Sequence, residues 1–132
     1  MEMYLPDNCY RDAPLTPEAI VIHYFSCINV DANNPFGLSN CFALMVDLNL
    51  PKENRIQFLL GEVDYDKRLY ASAHCFIDRY GVLALTVPEN KQAYHAGKSD
   101  YAGRTDWNRF SYGIELIGFP ASIVTGKQCA EA

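Results

Sequence analysis

The sequence predicts a single α/β domain, on three observations. "AIVIHYF" (Ala19 to Phe25) and "SYGIELIGF" (Ser111 to Phe119) are apolar, strand-forming runs. Phe36, Leu38, Phe42, Met45, Val46 and Leu50 recur at roughly helical spacing. "YASAHCFIDRYGVLALTV" reads as two strands joined by a turn near Arg79, Tyr80 and Gly81. A chain of 132 residues is long enough for one domain with a proper core and too short to expect two.

Taken in order, the first strand follows the turn-prone "APLTPE". Period-two alternation puts Ile20, Ile22 and Tyr24 on one face and Ala19, Val21, His23 and Phe25 on the other. A polar loop, "DANNP", leads into the helix, with Asn34 as N-cap and Pro35 at the first helical position, where its missing N–H does no harm. "PKENRIQFLLGEV" has Pro51 at a similar start and is read as a second short helix. After the hairpin, "PENKQAYHAGKSDYAGRTDWNRF" lacks periodicity and is rich in Gly, Asn, Asp, Lys and aromatics, so a long functional loop is expected. The last strand follows, and a helix is expected to begin near Thr125.

Composition excludes several classes. The chain is 49% hydrophobic and 20% charged, as in an ordinary globular protein, and no apolar run approaches the roughly 18 residues of a membrane span. The net charge of -5, with 11 scattered basic residues, argues against a nucleic-acid binder, which needs clustered Lys and Arg. Cys9, Cys27, Cys41, Cys75 and Cys129 form no CxxC pair, so packed, reduced thiols are expected. The opening "MEMYLPDNCYRD" has neither the basic start nor the apolar core of a secretory signal. A cytoplasmic location is expected, with release to the cell wall if the protein derives from a phage.

The polar residues inside the strands raise the question of function. Alternation places Ser111, Gly113, Glu115, Ile117 and Phe119 on one face of the last strand, with Glu115 between the apolar Ile114 and Leu116. An ionised carboxylate is costly to desolvate, so Glu115 either faces water or has a partner or a task. His23 is likewise flanked by apolar positions. If the two strands are neighbours and those faces coincide, His23 and Glu115 form a site. His74, grouped by alternation with Phe76 and Asp78, is read as a structural hydrogen-bonding residue.

"AIVIHYFS", "SAHCFIDRYGVLALTVPENKQAYHAGKS" and "NRFSYGIELIGF", in that order and spacing, resemble the zinc-dependent N-acetylmuramoyl-L-alanine amidases of the type 2 amidase family. That family shares its fold with the peptidoglycan-recognition proteins, and the resemblance covers Ala19 to Phe119. It implies a mixed central β-sheet flanked by helices, and hydrolysis of the amide between N-acetylmuramic acid and L-alanine in peptidoglycan or muropeptides. It further implies that His23 is a Zn2+ ligand and that Glu115 is the catalytic acid or base acting on the attacking water. Neutral imidazole suits zinc, and a carboxylate within reach can take a proton and return it to the leaving amine. In the family the "HAG" loop borders the substrate groove. His95 is therefore expected either to bind substrate or support the transition state, or to tie down the loop, with Tyr94, Ala96, Gly97 and Ser99 shaping that wall and Arg104 and Trp107 as further substrate contacts. Some relatives carry a catalytic Tyr where this chain has Ala73, so the glutamate-dependent form of the site is implied.

The family's remaining zinc ligands lie in a C-terminal "GHSD…K…DPG" segment that has no counterpart here. The domain is accordingly expected to be C-terminally incomplete, with apolar sheet surface left exposed. The rival reading is a non-catalytic muropeptide-binding module that uses the same groove.

Overall fold

The structure, a computed structural model, describes residues 1–26, 33–51, 54, 70–97 and 99–118. Its centre is a four-stranded mixed sheet in the order β2-β8-β3-β4, formed by β2 (Ala19–Phe25), β8 (Ser111–Ile117), β3 (Cys75–Ile77) and β4 (Leu83–Leu85). β8 pairs in parallel with β2 on one side and β3 on the other, and β4 closes the sheet antiparallel to β3. The fold is thus the mixed α/β domain that the sequence predicts. β8 is the pivot, since it alone touches both β2 and β3.

The two faces of the sheet differ. On one, Phe25, Phe76 and Ile117 pack with Cys41, Leu44, Met45 and Leu48 of the helix α1 (Leu38–Leu48). Phe25 and Phe76 stack with ring centroids 6.0 Å apart. The other face holds a smaller cluster of Cys75, Ile77 and Ile114, bordered by Leu83, Leu85, Tyr112 and Leu116. Toward the β2 edge this face opens to solvent, where Ile20, Ile22 and Tyr24 are 65%, 56% and 59% exposed. The alternation read from β2 is therefore real, and its apolar half is the exposed one.

Two expectations need correction. The helix does not start at an Asn34 cap: its N-cap is Gly37, which makes no side-chain capping bond, and the first intrahelical bond runs from Cys41 N–H to Gly37 carbonyl. The Asn34 amide instead folds against Gly37, so close that a Cβ there would lie 2.7 Å from its nitrogen. Asn49 ends the helix; its side-chain amide donates to the carbonyls of Met45 and Ala71 and accepts from Ala71 N–H. The stretch from Pro88 to Phe110 is likewise not one irregular loop. β5 (Lys91–Ala93) pairs antiparallel with β1 (Tyr10–Pro14), a strand with no strong apolar pattern. β6 (Asp100–Tyr101) and β7 (Arg104–Thr105) make a small hairpin through Ala102 and Gly103, both at positive φ, and Trp107–Arg109 form a 3-10 turn.

The hairpin of β3 and β4 turns where expected. Asp78 Oδ1 accepts from the N–H groups of Tyr80 and Val82, and Gly81 sits at φ 85. The helix expected from Pro51 and the one expected near Thr125 lie outside the described residues, as do Cys27, Cys129 and Phe119. Cys9, Cys41 and Cys75 are buried free thiols. No helix among the described residues is long and apolar enough to cross a membrane.

Candidate active site

Parallel pairing sets His23 directly opposite Glu115 in the β2/β8 ladder, and register partners in adjacent strands share a face. The condition posed by the sequence is met. On the other side Glu115 faces Phe76 of β3. Flanked by the two strands and close to the helix-covered core, Glu115 is only 9% exposed. Its Oε2 has no hydrogen-bond partner among the described residues. Burial with no compensating donor pushes the carboxyl pKa up to about 8.

His95 fills the next place on this face. Gly113, two residues before Glu115 on the same side of β8, has no side chain, and the His95 imidazole occupies the space; a Cβ on Gly113 would lie 2.5 Å from His95 Cγ. From this seat His95 Nδ1 lies 3.1 Å from His23 Nε2, and the two rings meet edge to face at 5.3 Å. His95 Nε2 is 3.2 Å from the Ser111 carbonyl oxygen and 3.1 Å from Ser111 Oγ. Burial holds His23 below the ordinary imidazole value and takes His95 down to about 4, so both rings are neutral near pH 7.

His74 braces the arrangement from the neighbouring strand. Fully buried, it receives the Gly113 N–H on Nδ1 at 2.9 Å, while its Nε2–H donates to the Lys91 carbonyl of β5 at 2.8 Å. Its own N–H donates to Gly113 carbonyl, so one residue holds both polar groups of the glycine that seats His95. The structural reading of His74 matches this geometry. The "HAG" segment is anchored by Asn108, whose buried Oδ1 accepts from the N–H groups of His95 at 3.0 Å and Ala96 at 2.8 Å. Asn108→Ala removes both bonds and is expected to lower stability by about 1–3 kcal/mol. Faster amide exchange at His95 and Ala96 would check that the loss is local.

The residues expected to contact substrate divide into two groups. Ala96 and Trp107, together with His23, Ser99 and Ala19, line a depression of about 550 Å³, and Gly97 borders an adjoining one with Ser99. Tyr94 and Arg104 do not line the His23 depression. Tyr94 packs against Tyr70 at 5.3 Å with the Arg11 guanidinium over its ring. Arg104 pairs with Glu18 at 2.8 Å and lies 3.7 Å over the Phe110 ring, behind Trp107. Sequence reasoning missed Asn108, Ser111 and Gly113. The only trace of Gly113 is its place in the alternation, on the same face as Glu115.

Among the described residues, no group of three or more His, Cys, Asp or Glu side chains is arranged to hold a metal ion. The individual donors nevertheless suit one: a neutral imidazole whose Nδ1 bonds to no described residue, and beside it a buried carboxylate oxygen with no donor among the described residues.

Comparison with known proteins adds the family. The chain is 48% identical over 60 residues to the 1,6-anhydro-N-acetylmuramyl-L-alanine amidase AmpD of Escherichia coli, a match covering 46% of this chain and 33% of that protein. Against the AmpD of Haemophilus influenzae it is 45% identical over 79 residues, 54% of this chain and 43% of that protein. The matched stretches thus span less than half the length of either relative. The fold superposes on the crystal structure of a selenomethionine AmpD derivative with a TM-score of 0.62 and 26% identity, covering 98% of this chain and 74% of that one. For the solution structure of Citrobacter freundii AmpD the TM-score is 0.52 at 31% identity, covering 98% and 64%. The profile described as N-acetylmuramoyl-L-alanine amidase matches residues 13–132, nearly the whole sequence, and the chain belongs to that family.

Proposed function

We propose that this chain is a zinc-dependent hydrolase of the amide between N-acetylmuramic acid and L-alanine. The 1,6-anhydro-muramyl fragments named for its AmpD relatives are the first candidates for substrate. The observation that carries the reading is the pairing of His23 with a buried Glu115, whose Oε2 has no donor among the described residues, on adjacent strands of a chain from this family.

His23 is the residue of this chain that would ligate zinc. When bound, zinc supplies a Lewis acid that polarises the scissile carbonyl and acidifies the attacking water. Glu115 takes one proton from that water as its oxygen attacks the carbonyl carbon. It delivers a proton to the L-alanine nitrogen as the C–N bond breaks, leaving a free carboxylate and a free amine. A carboxyl whose pKa is already raised suits a group that must both accept and donate near neutrality. Ala96 and Trp107, which share the depression with His23, are the proposed substrate contacts, continued by Gly97 and Ser99. His95, which does not itself line the depression, backs His23, and Tyr94 and Arg104 act as supports behind this wall.

The test is to incubate the 132-residue chain with zinc and a purified anhydro-muropeptide and to measure peptide carrying a new N-terminal alanine. Release that stops on chelation and returns with zinc is expected. Tight muropeptide binding with no release, unchanged by chelator, would replace the hydrolase with a binding module.

A further inference from the structure

We propose that His95 is a positioning residue for His23: it fixes which ring nitrogen of His23 is free, so that Nδ1, and not Nε2, faces an incoming metal ion. The proposal rests on the reading of His23 as a metal ligand. What it adds is the device that orients that ligand, and the chain of hydrogen bonds carries the argument.

The chain begins at Ser111. Its Oγ–H donates to the Trp107 carbonyl, so Ser111 Oγ has only lone pairs left for His95. His95 Nε2 thus faces two acceptors, Ser111 Oγ at 3.1 Å and the Ser111 carbonyl oxygen at 3.2 Å. It must therefore carry the ring proton. A neutral imidazole has one N–H and one lone pair, which puts the lone pair of His95 on Nδ1. The atom facing that lone pair at 3.1 Å is His23 Nε2, which must then be the donor. His23 is left as the Nε2–H tautomer with its lone pair on Nδ1, the nitrogen that bonds to no described residue.

Ligating histidines generally use the second ring nitrogen in this way, donating its N–H to a fixed acceptor that sets the tautomer and ring plane. Here the acceptor is itself an imidazole, held from three directions. Ser111 fixes its proton, Asn108 holds its backbone, and the bare Gly113 gives its ring a place to lie. His74 then holds Gly113 through both of that residue's polar backbone groups.

Two-bond 1H–15N correlation spectra of the metal-free 132-residue chain test the first step directly. His23 is expected as the Nε2–H tautomer, and loading with 113Cd should show coupling to His23 Nδ1. His95→Ala should leave His23 as a mixture of tautomers and weaken zinc binding about 10- to 100-fold. His95→Asn places an amide oxygen close to the Nδ1 position and should restore the single tautomer and most of the affinity. A purely structural His95 would show no such rescue.

An Nδ1–H tautomer of His23 in the metal-free chain would overturn the proposal. So would cadmium coupled to His23 Nε2 or to His95 Nδ1, which would make the two rings a chelating pair. Should the chain hold no metal at all, the hydrolase reading fails, and the metal-free spectrum still decides whether His95 sets the tautomer.

Discussion

Glu115→Gln is expected to reduce amide hydrolysis about 100- to 10,000-fold, the usual contribution of a positioned general acid–base group, while making the metal-free protein more stable relative to the parent as pH rises. The two effects have one cause. The fold buries this carboxyl to 9% exposure and gives Oε2 no donor among the described residues, raising its pKa from 4.5 to about 8. The folded state therefore binds the proton more tightly than the unfolded chain. The stability tied to Glu115 is complete below about pH 4.5, falls as pH rises, and is lost once pH passes about 8. At ~1.4 kcal/mol for each pH unit above 4.5, keeping this carboxyl protonated while the unfolded chain releases its proton costs about 3 kcal/mol at pH 7.

Glutamine cannot ionise, so the stability difference between Glu115→Gln and the parent should grow in favour of the variant between pH 5 and 8. The amide N–H it introduces needs a partner and adds a cost of its own, but one that does not change with pH. Burial lowers the pKa values of His23, His74 and His95, which destabilises both proteins below about pH 6.5. None of these shifts arises from Glu115, so the effect is common to the two and drops out of the difference. Urea unfolding of both metal-free proteins at pH 5, 6, 7 and 8 measures it. Parallel pH profiles would show that the Glu115 carboxyl finds a donor in solution. Unimpaired turnover by the variant would remove Glu115 from the chemistry.

What the sequence made legible follows a physical rule. β2 and β8 are seven-residue strands in which alternation has room to repeat, so His23 and Glu115 could be assigned to faces before their pairing was known. β6 and β7 have two residues each, and β1 changes register against β5 between Arg11 and Pro14. Strands this short or irregular leave no period to read. The helix start was misread because the Asn-Pro cap rule is local. Whether the Asn34 amide turns to cap the helix or to cover Gly37 depends on packing.

The supports of the site were hidden for a different reason. Asn108 acts through an amide oxygen that meets the backbone of residues 95 and 96. Ser111 acts in part through its carbonyl, and Gly113 through having no side chain. None of these actions follows from residue type and spacing alone. Each exists only once the β5 end folds back over β8.

Gly113→Ala is the sharpest test of that backbone-level construction. The φ of Gly113 is not in the left-handed region, so alanine is not excluded by the strand itself. The obstacle is the neighbour: the new Cβ would lie 2.5, 2.8 and 2.9 Å from three atoms of the His95 ring. A ring tied to Ser111 and His23 cannot yield without losing those bonds, so overpacking should cost about 1–3 kcal/mol. The His23 tautomer should also be scrambled as His95 leaves its seat. If the cost is the clash with the imidazole, it must largely disappear when the imidazole is absent. In a double-mutant cycle, Gly113→Ala introduced into His95→Ala is expected to cost well under half of what it costs alone, measured by urea unfolding. Equal costs in the two backgrounds would mean that the glycine serves the strand, and that the seat beneath His95 is incidental to it.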